Sequence, residues 1–147
     1  MFKNALVKNG FDVTVFEPQK VTEGSMASVD EMTKKYDIII YSASVKTNYQ
    51  PDLRISWSKP QGANIPTLCH TIPTIFISLA NPYHLVDVPH VRTFINCYNG
   101  SASVIQALMD KLMGKDEFTG ISPVDAFCGK WDARVSFGPE CEGLKNK

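Results

Sequence analysis

No pattern in this chain signals a metal, a nucleotide, a nucleic acid or a membrane. The four cysteines, Cys69, Cys97, Cys128 and Cys141, form no Cys-x-x-Cys pair and stand at no metal-ligand spacing. Reduced thiols in a cytoplasmic protein are expected, not a disulfide framework, and no metal site is expected. A Gly-x-Gly-x-x-Gly fingerprint and a Walker loop are both missing, so no cofactor is expected. Charge is balanced, with 15 basic against 15 acidic residues. Phosphate backbones are held by clustered Lys and Arg, and the longest basic cluster is Lys34–Lys35 on a solvated helix face, so no nucleic-acid partner is expected. No apolar run approaches the ~20 residues that span a bilayer. The opening MFKNALVKNG has no long apolar leader core, and no membrane association is expected. Paired carboxylates are not evident either. Glu140 and Glu142 lie in a loose tail that cannot hold the separation glycoside chemistry needs.

What is present is an alternation of apolar strands and short helices in a chain of 147 residues, enough to bury one core. Residues 2–9 read as a helix with Phe2, Leu6 and Val7 on one face and Gly10 at its end. FDVTVFEP, residues 11–18, alternates like a strand. Ser28 and Glu31 make a capping box for a helix over 28–35. Ile38, Ile39 and Ile40 then form a continuous apolar run, expected to be buried on both faces of a parallel sheet. Residues 45–71 read as loop, with an extended piece near Arg54–Trp57 and a helical turn over 66–70. PTIFISL is a second buried strand from Pro73, ANPYHLVDVPH a loop, and VRTFINCY, residues 91–98, a third strand. Ser101 or Ser103 caps a helix that ends at Gly114, with Val104, Ile105, Leu108, Met109 and Leu112 along its apolar side. The remainder reads as irregular, and residues 126–147 as a tail. The whole is expected to be one α/β domain, 1–147, built as a three-layer α/β/α sandwich on a mostly parallel sheet.

Ligands of such sheets sit outside the carboxyl ends of the strands. That rule singles out Asn81, Tyr83, His84, Asp87 and Asn99 as candidate ligand or interdomain contacts. His84 and His90 flank Asp87, a combination that can serve as an acid/base pair, although a solvated loop is the expectation. His70 follows Cys69, but neighbours on a helix point about 100° apart, which argues against a nucleophile and base. Trp57 lies near Arg54, and Trp131 between Lys130 and Asp132; such aromatics stack on sugar rings or plug the domain surface or an interdomain seam, and for Trp131 packing is the expectation. Asn99-Gly100-Ser101 opens the last helix and is read as an ordinary turn and cap. Asn81 stands before Pro82 and is expected to serve turn geometry.

The stretch PTIFISLANPYHLVDVPHVRTFINCYNGSASVIQALMDKLMGKDEFTGISPVD resembles the C-terminal domain of glycoside hydrolase family 3, in its β-N-acetylglucosaminidase (β-hexosaminidase) branch. Ser78, Leu79, Asn81, Pro82 and Tyr83 match a strand-ending turn of that family, and Gly114, Phe118, Gly120, Pro123 and Val124 a segment beyond its helix. The resemblance implies a flavodoxin-like fold and a link to hydrolysis of O-glycosyl bonds. In the family the catalytic residues lie on a (β/α) barrel, which would be the partner domain, and none of its motifs occurs here. His70 precedes Thr71-Ile72-Pro73 and receives no catalytic role. The chain is expected to be inactive alone. The family domain begins with a strand ahead of residues 2–9, so unpaired edges near 12–17 and 38–43 are expected: residues 11–17 either rearrange or pair between protomers in a homo-oligomer. A free-standing module that binds a small molecule, or an interaction domain, are the alternatives.

Overall fold

The parallel ladder is built on the apolar runs at 38–40, 75–77 and 94–95. A computed structural model describes residues 1–15, 29–45, 54–55 and 67–129. In order, these carry α1 (Phe2–Lys8), α2 (Val29–Lys35), β1 (Ile39–Ala43), β2 (Thr74–Ser78), β3 (Thr93–Asn96) and α3 (Ala102–Leu112). Short 3-10 turns cover Thr67–His70 and Pro82–Asp87. The strands are all parallel, in the order β1-β2-β3, giving an α/β fold.

Register follows from aromatic and apolar rows. Tyr41, Phe76 and Phe94 are partners across the three strands. Their rings stack, with centroids 6.3 Å apart for Tyr41 and Phe76 and 5.5 Å for Phe76 and Phe94. A one-residue slip in any strand would turn its ring to the opposite face. Cys69, Val88 and Val91 close over this row, joined by Ile55 and Ala43. Residues of the other parity, Ile75, Ile77 and Ile95, belong to the opposite face. Ile77 is fully buried.

The helix ends have specific chemical causes. α1 stops at Gly10, whose φ of 90° is left-handed, with Gly10 N–H bonded to Val7 O and Phe11 N–H to Leu6 O. α3 stops in the same way: Gly114 has a φ of 69°, and Lys115 N–H reaches Asp110 O at 2.8 Å. Only glycine adopts this conformation without strain, which is why both stops were readable. α3 buries Ile105, Leu108 and Met109, and α1 packs against it with Leu6 buried.

Four expectations need correction. Ile39 and Ile40 are half-buried instead of buried on both faces, and among the described residues β1 is an edge strand. Residues 11–15 form no ladder; the Thr14 side chain instead hydrogen-bonds Tyr36, which holds the Tyr36 hydroxyl below the usual phenol range. Val7 is 52% exposed and leaves the face shared by Phe2 and Leu6. The Ala80–His90 loop contains a 3-10 turn, since Asn81 caps it and Pro82 sets its first φ. Ser28, Trp57, Trp131, Cys141, Glu140 and Glu142 lie outside the described residues. Among the described residues no helix is long and apolar enough to cross a membrane.

The aromatic row makes a direct prediction. Phe76 is 2% exposed and touched on both sides. Replacing it with Ala is expected to cost about 3–5 kcal/mol in urea unfolding, and with Leu clearly less.

Candidate functional site at the carboxyl ends of the strands

β2 ends at Ser78, and the parallel register sets Ala43 and Asn96 beside it on the same face. The chain then leaves the sheet and turns immediately. Ser78 Oγ donates to Asn81 O at 2.6 Å, which uses its one proton. The hydroxyl must therefore accept from the Asn81 N–H at 3.3 Å and from His84 Nδ1 at 2.8 Å. His84 is thus the Nδ1–H tautomer, and Nε2 carries a bare lone pair. Ser78, Asn81 and His84 are all fully buried. Burial holds the His84 imidazole below its ordinary range, while the nearby Asp87 charge pushes the other way.

Asp87 ties this turn to the crossover. Its carboxylate accepts from the Ile55 N–H at 3.0 Å and from the Arg54 guanidinium, with its side chain 5% exposed. Asn81 Oδ1 accepts from Tyr83 N–H at 2.9 Å, so the expected turn role of Asn81 is what the geometry shows. Two buried acceptors, His84 Nε2 and Asn96 Oδ1, have no hydrogen-bond partner among the described residues.

Ser78, His84 and Asp87 share the residue types of an acyl-transfer triad, but their geometry performs no such chemistry. The serine proton goes to a backbone carbonyl, and the imidazole meets Ser78 through Nδ1 with its N–H as donor. The hydroxyl is sealed from solvent, so no substrate carbonyl can approach it. The His84–Asp87–His90 grouping is also divided. His84 is buried rather than solvated, Asp87 faces Arg54 and Ile55, and the His90 carbonyl accepts from Cys69 Sγ at 3.6 Å. The expectation of a solvated loop fails because the pleat at Ser78 draws His84 inward. Among the described residues no group of His, Cys, Asp and Glu can hold a metal ion.

Tyr83 and Asn99 are exposed, at the surface of the same strand ends. Asn99 Oδ1 takes the Ser101 N–H at 2.9 Å, and Ser101 Oγ takes the Val104 N–H at 3.4 Å. The start of α3 is therefore capped by its own side chains. No sequence pattern marked Asn96, the register neighbour of Ser78. Ser78, matched only as part of a family turn, is the hub, and Tyr98, the last residue of the expected third strand, holds a left-handed φ of 60°. Tyr98 is the middle of a three-residue turn closed by Asn99 N–H to Cys97 O at 2.7 Å. The Asn-Gly pair following Tyr98 marked a turn there. No local signal ties Ser78 to His84, since the contact depends on the turn between them.

This is a parallel α/β domain whose strand ends are closed by a polar lock. No protein-family profile matches the chain. It is 48% identical over 135 residues to a β-N-acetylglucosaminidase/β-glucosidase of Cellulomonas fimi, covering 91% of this chain and 24% of that protein. Among solved structures it is similar to β-glucoside phosphorylase BglX, with a TM-score of 0.74, 40% identity, and coverage of 90% of this chain and 23% of that one. The same phosphorylase bound to 2FGlc gives a TM-score of 0.75 at 40% identity, covering 87% of this chain and 22% of that chain. The chain is related to glycoside hydrolase family 3 and corresponds to the C-terminal α/β domain of that family. It spans about a quarter of the length of the relatives it matches.

Two measurements probe the lock and its surroundings. Ser78→Ala removes the donor to Asn81 O and the acceptor for His84, and is expected to cost about 1–3 kcal/mol in chemical denaturation. Cys69 and Cys97 are free thiols that burial pushes up, whereas Cys128 is free and exposed. Among these three, Cys128 is expected to react first with a thiol reagent, as mass mapping of a time course would show.

Proposed function

We propose that this chain is an accessory, non-catalytic C-terminal domain of a β-N-acetylglucosaminidase (β-hexosaminidase), acting beside a (β/α) barrel that performs the hydrolysis. The observation that carries the reading is the sealed Ser78–His84 pair: the arrangement richest in reactive residue types is closed to any substrate. The name borne by the Cellulomonas fimi relative supports N-acetylglucosaminide and glucoside substrates for the whole enzyme. Asn81, His84 and Asp87 then serve to shape the strand ends, and Tyr83 and Asn99 present a contact surface to the barrel. The free thiols fit a cytoplasmic setting, and the reading includes no cofactor.

Chromogenic N-acetylglucosaminide and glucoside assays of the purified 147-residue chain are expected to show no turnover, with or without inorganic phosphate. Turnover that survives further purification overturns the accessory role. The phosphate arm is included because the structural relatives are phosphorylases.

The outer edge of β1 pairs with no strand among the described residues, and such an edge invites a second chain. A homo-oligomer through this edge is part of the proposal. Light scattering is expected to give a mass above that of one chain; a stable monomer removes this element.

A further inference from the structure

The lock at the end of β2 has an asymmetry that its role in packing does not use. His84 is fully buried and fully engaged on one side, through Nδ1–H to Ser78 Oγ. On the other side Nε2 is buried and has no partner among the described residues. A second proton on this ring would put a charged N–H in a sealed position.

Among the described residues the surroundings offer little to stabilise that charge. β2 (TIFIS) and β3 (TFIN) contain no charged residue, and β1 (IIYSA) brings only Tyr41, whose hydroxyl burial pushes up. α3 carries its charges, Asp110 and Lys111, in its last turn. Asp87, on the same turn as His84, is the charge that reaches the ring. Its carboxylate is already held by Arg54 and by the Ile55 N–H. Turn and crossover are therefore mechanically joined: what moves the turn also strains the Asp87 contacts.

We propose that the Asn81–Asp87 turn is an acid-sensitive latch. It stays shut while His84 is a neutral ring donating through Nδ1 to Ser78, and it opens, together with Arg54–Ile55, when Nε2 takes a proton. Opening frees the Ser78 hydroxyl and carries the exposed Tyr83 away from the strand ends. The latch would thus remodel the carboxyl-end surface without disturbing the sheet. It stands on the geometry of His84 and does not depend on the glycosidase reading.

The direction follows from linkage. The closed form holds His84 below the ordinary 6.5, and the open form restores that value. The closed form therefore binds fewer protons, is unaffected above pH 6.5, and loses ground as pH falls below it. The opening equilibrium gains up to about tenfold per pH unit until the folded value is reached.

Hydrogen–deuterium exchange of the 147-residue chain, corrected for intrinsic rates, reads this directly. The Ile55, Tyr83, His84 and Val88 amides report on the latch, because their bonds to Asp87, Asn81 and Leu85 break when it opens. Their protection is expected to fall together below pH 6.5, by up to about tenfold per unit, while Met113 at the end of α3 stays protected. His84→Asn keeps a short N–H donor and removes the titration, so its latch amides are expected to lose this pH dependence. Should that variant fail to fold, ring-nitrogen NMR of the native chain decides. A neutral Nδ1–H ring that titrates below 6.5 in step with latch opening supports the proposal. A ring that titrates at or above 6.5 with the latch closed, as if Asn96 Oδ1 accepted the new proton, overturns it. So does a latch that remains as protected as α3 across the range.

Discussion

Phe76 is the side chain on which the described fold depends. It sits in the middle strand, buried, with a ring stacked on each side from the neighbouring strands. Those contacts pin the register of all three strands at once, because parallel partners must present their rings to the same face. Two residues later the same register delivers Ser78 between Ala43 and Asn96. The polar lock at the strand ends is thus positioned by an apolar row deeper in the sheet. Core and site are one construction: the pleat that buries Phe76 also buries Ser78.

The polar part is governed by proton count. A serine hydroxyl has one proton, and here Asn81 O takes it. Everything else that meets Ser78 Oγ must donate, which selects the Nδ1–H tautomer of His84 and leaves Nε2 bare. That one assignment excludes nucleophilic catalysis and leaves a buried imidazole nitrogen with no partner among the described residues. The apparent triad and the proposed latch are the same atoms, distinguished by where the proton goes.

Much of this architecture was legible in advance. The apolar runs at 38–40, 75–77 and 94–95 marked the strands, and Gly10 and Gly114 marked helix ends through a conformation only glycine adopts freely. Asn81 before Pro82 announced a turn, and Ser101 a cap. The family resemblance shared Asn81, Pro82 and Gly114 with these positions. What misled was local alternation at 11–15, where a strand pattern met no ladder, and the polarity of the 80–90 segment, where a histidine among polar neighbours is buried. Alternation describes a chain fit for a sheet but not the presence of a free neighbour to pair with.

By itself, then, the sequence determined the class of fold, the helix stops, and the absence of the usual metal, nucleotide and membrane signatures. These are local matters, set by side-chain period, glycine conformation and residue type within a few positions. Only the tertiary structure decided that Ile39 and Ile40 lie on the edge of the described sheet, that Asp87 grips Ile55 across a crossover, and that His84 is sealed against Ser78. Those outcomes depend on which strand lies in the middle and on where a turn returns its side chain. They arise from contacts between residues separated along the chain, and no local pattern encodes them.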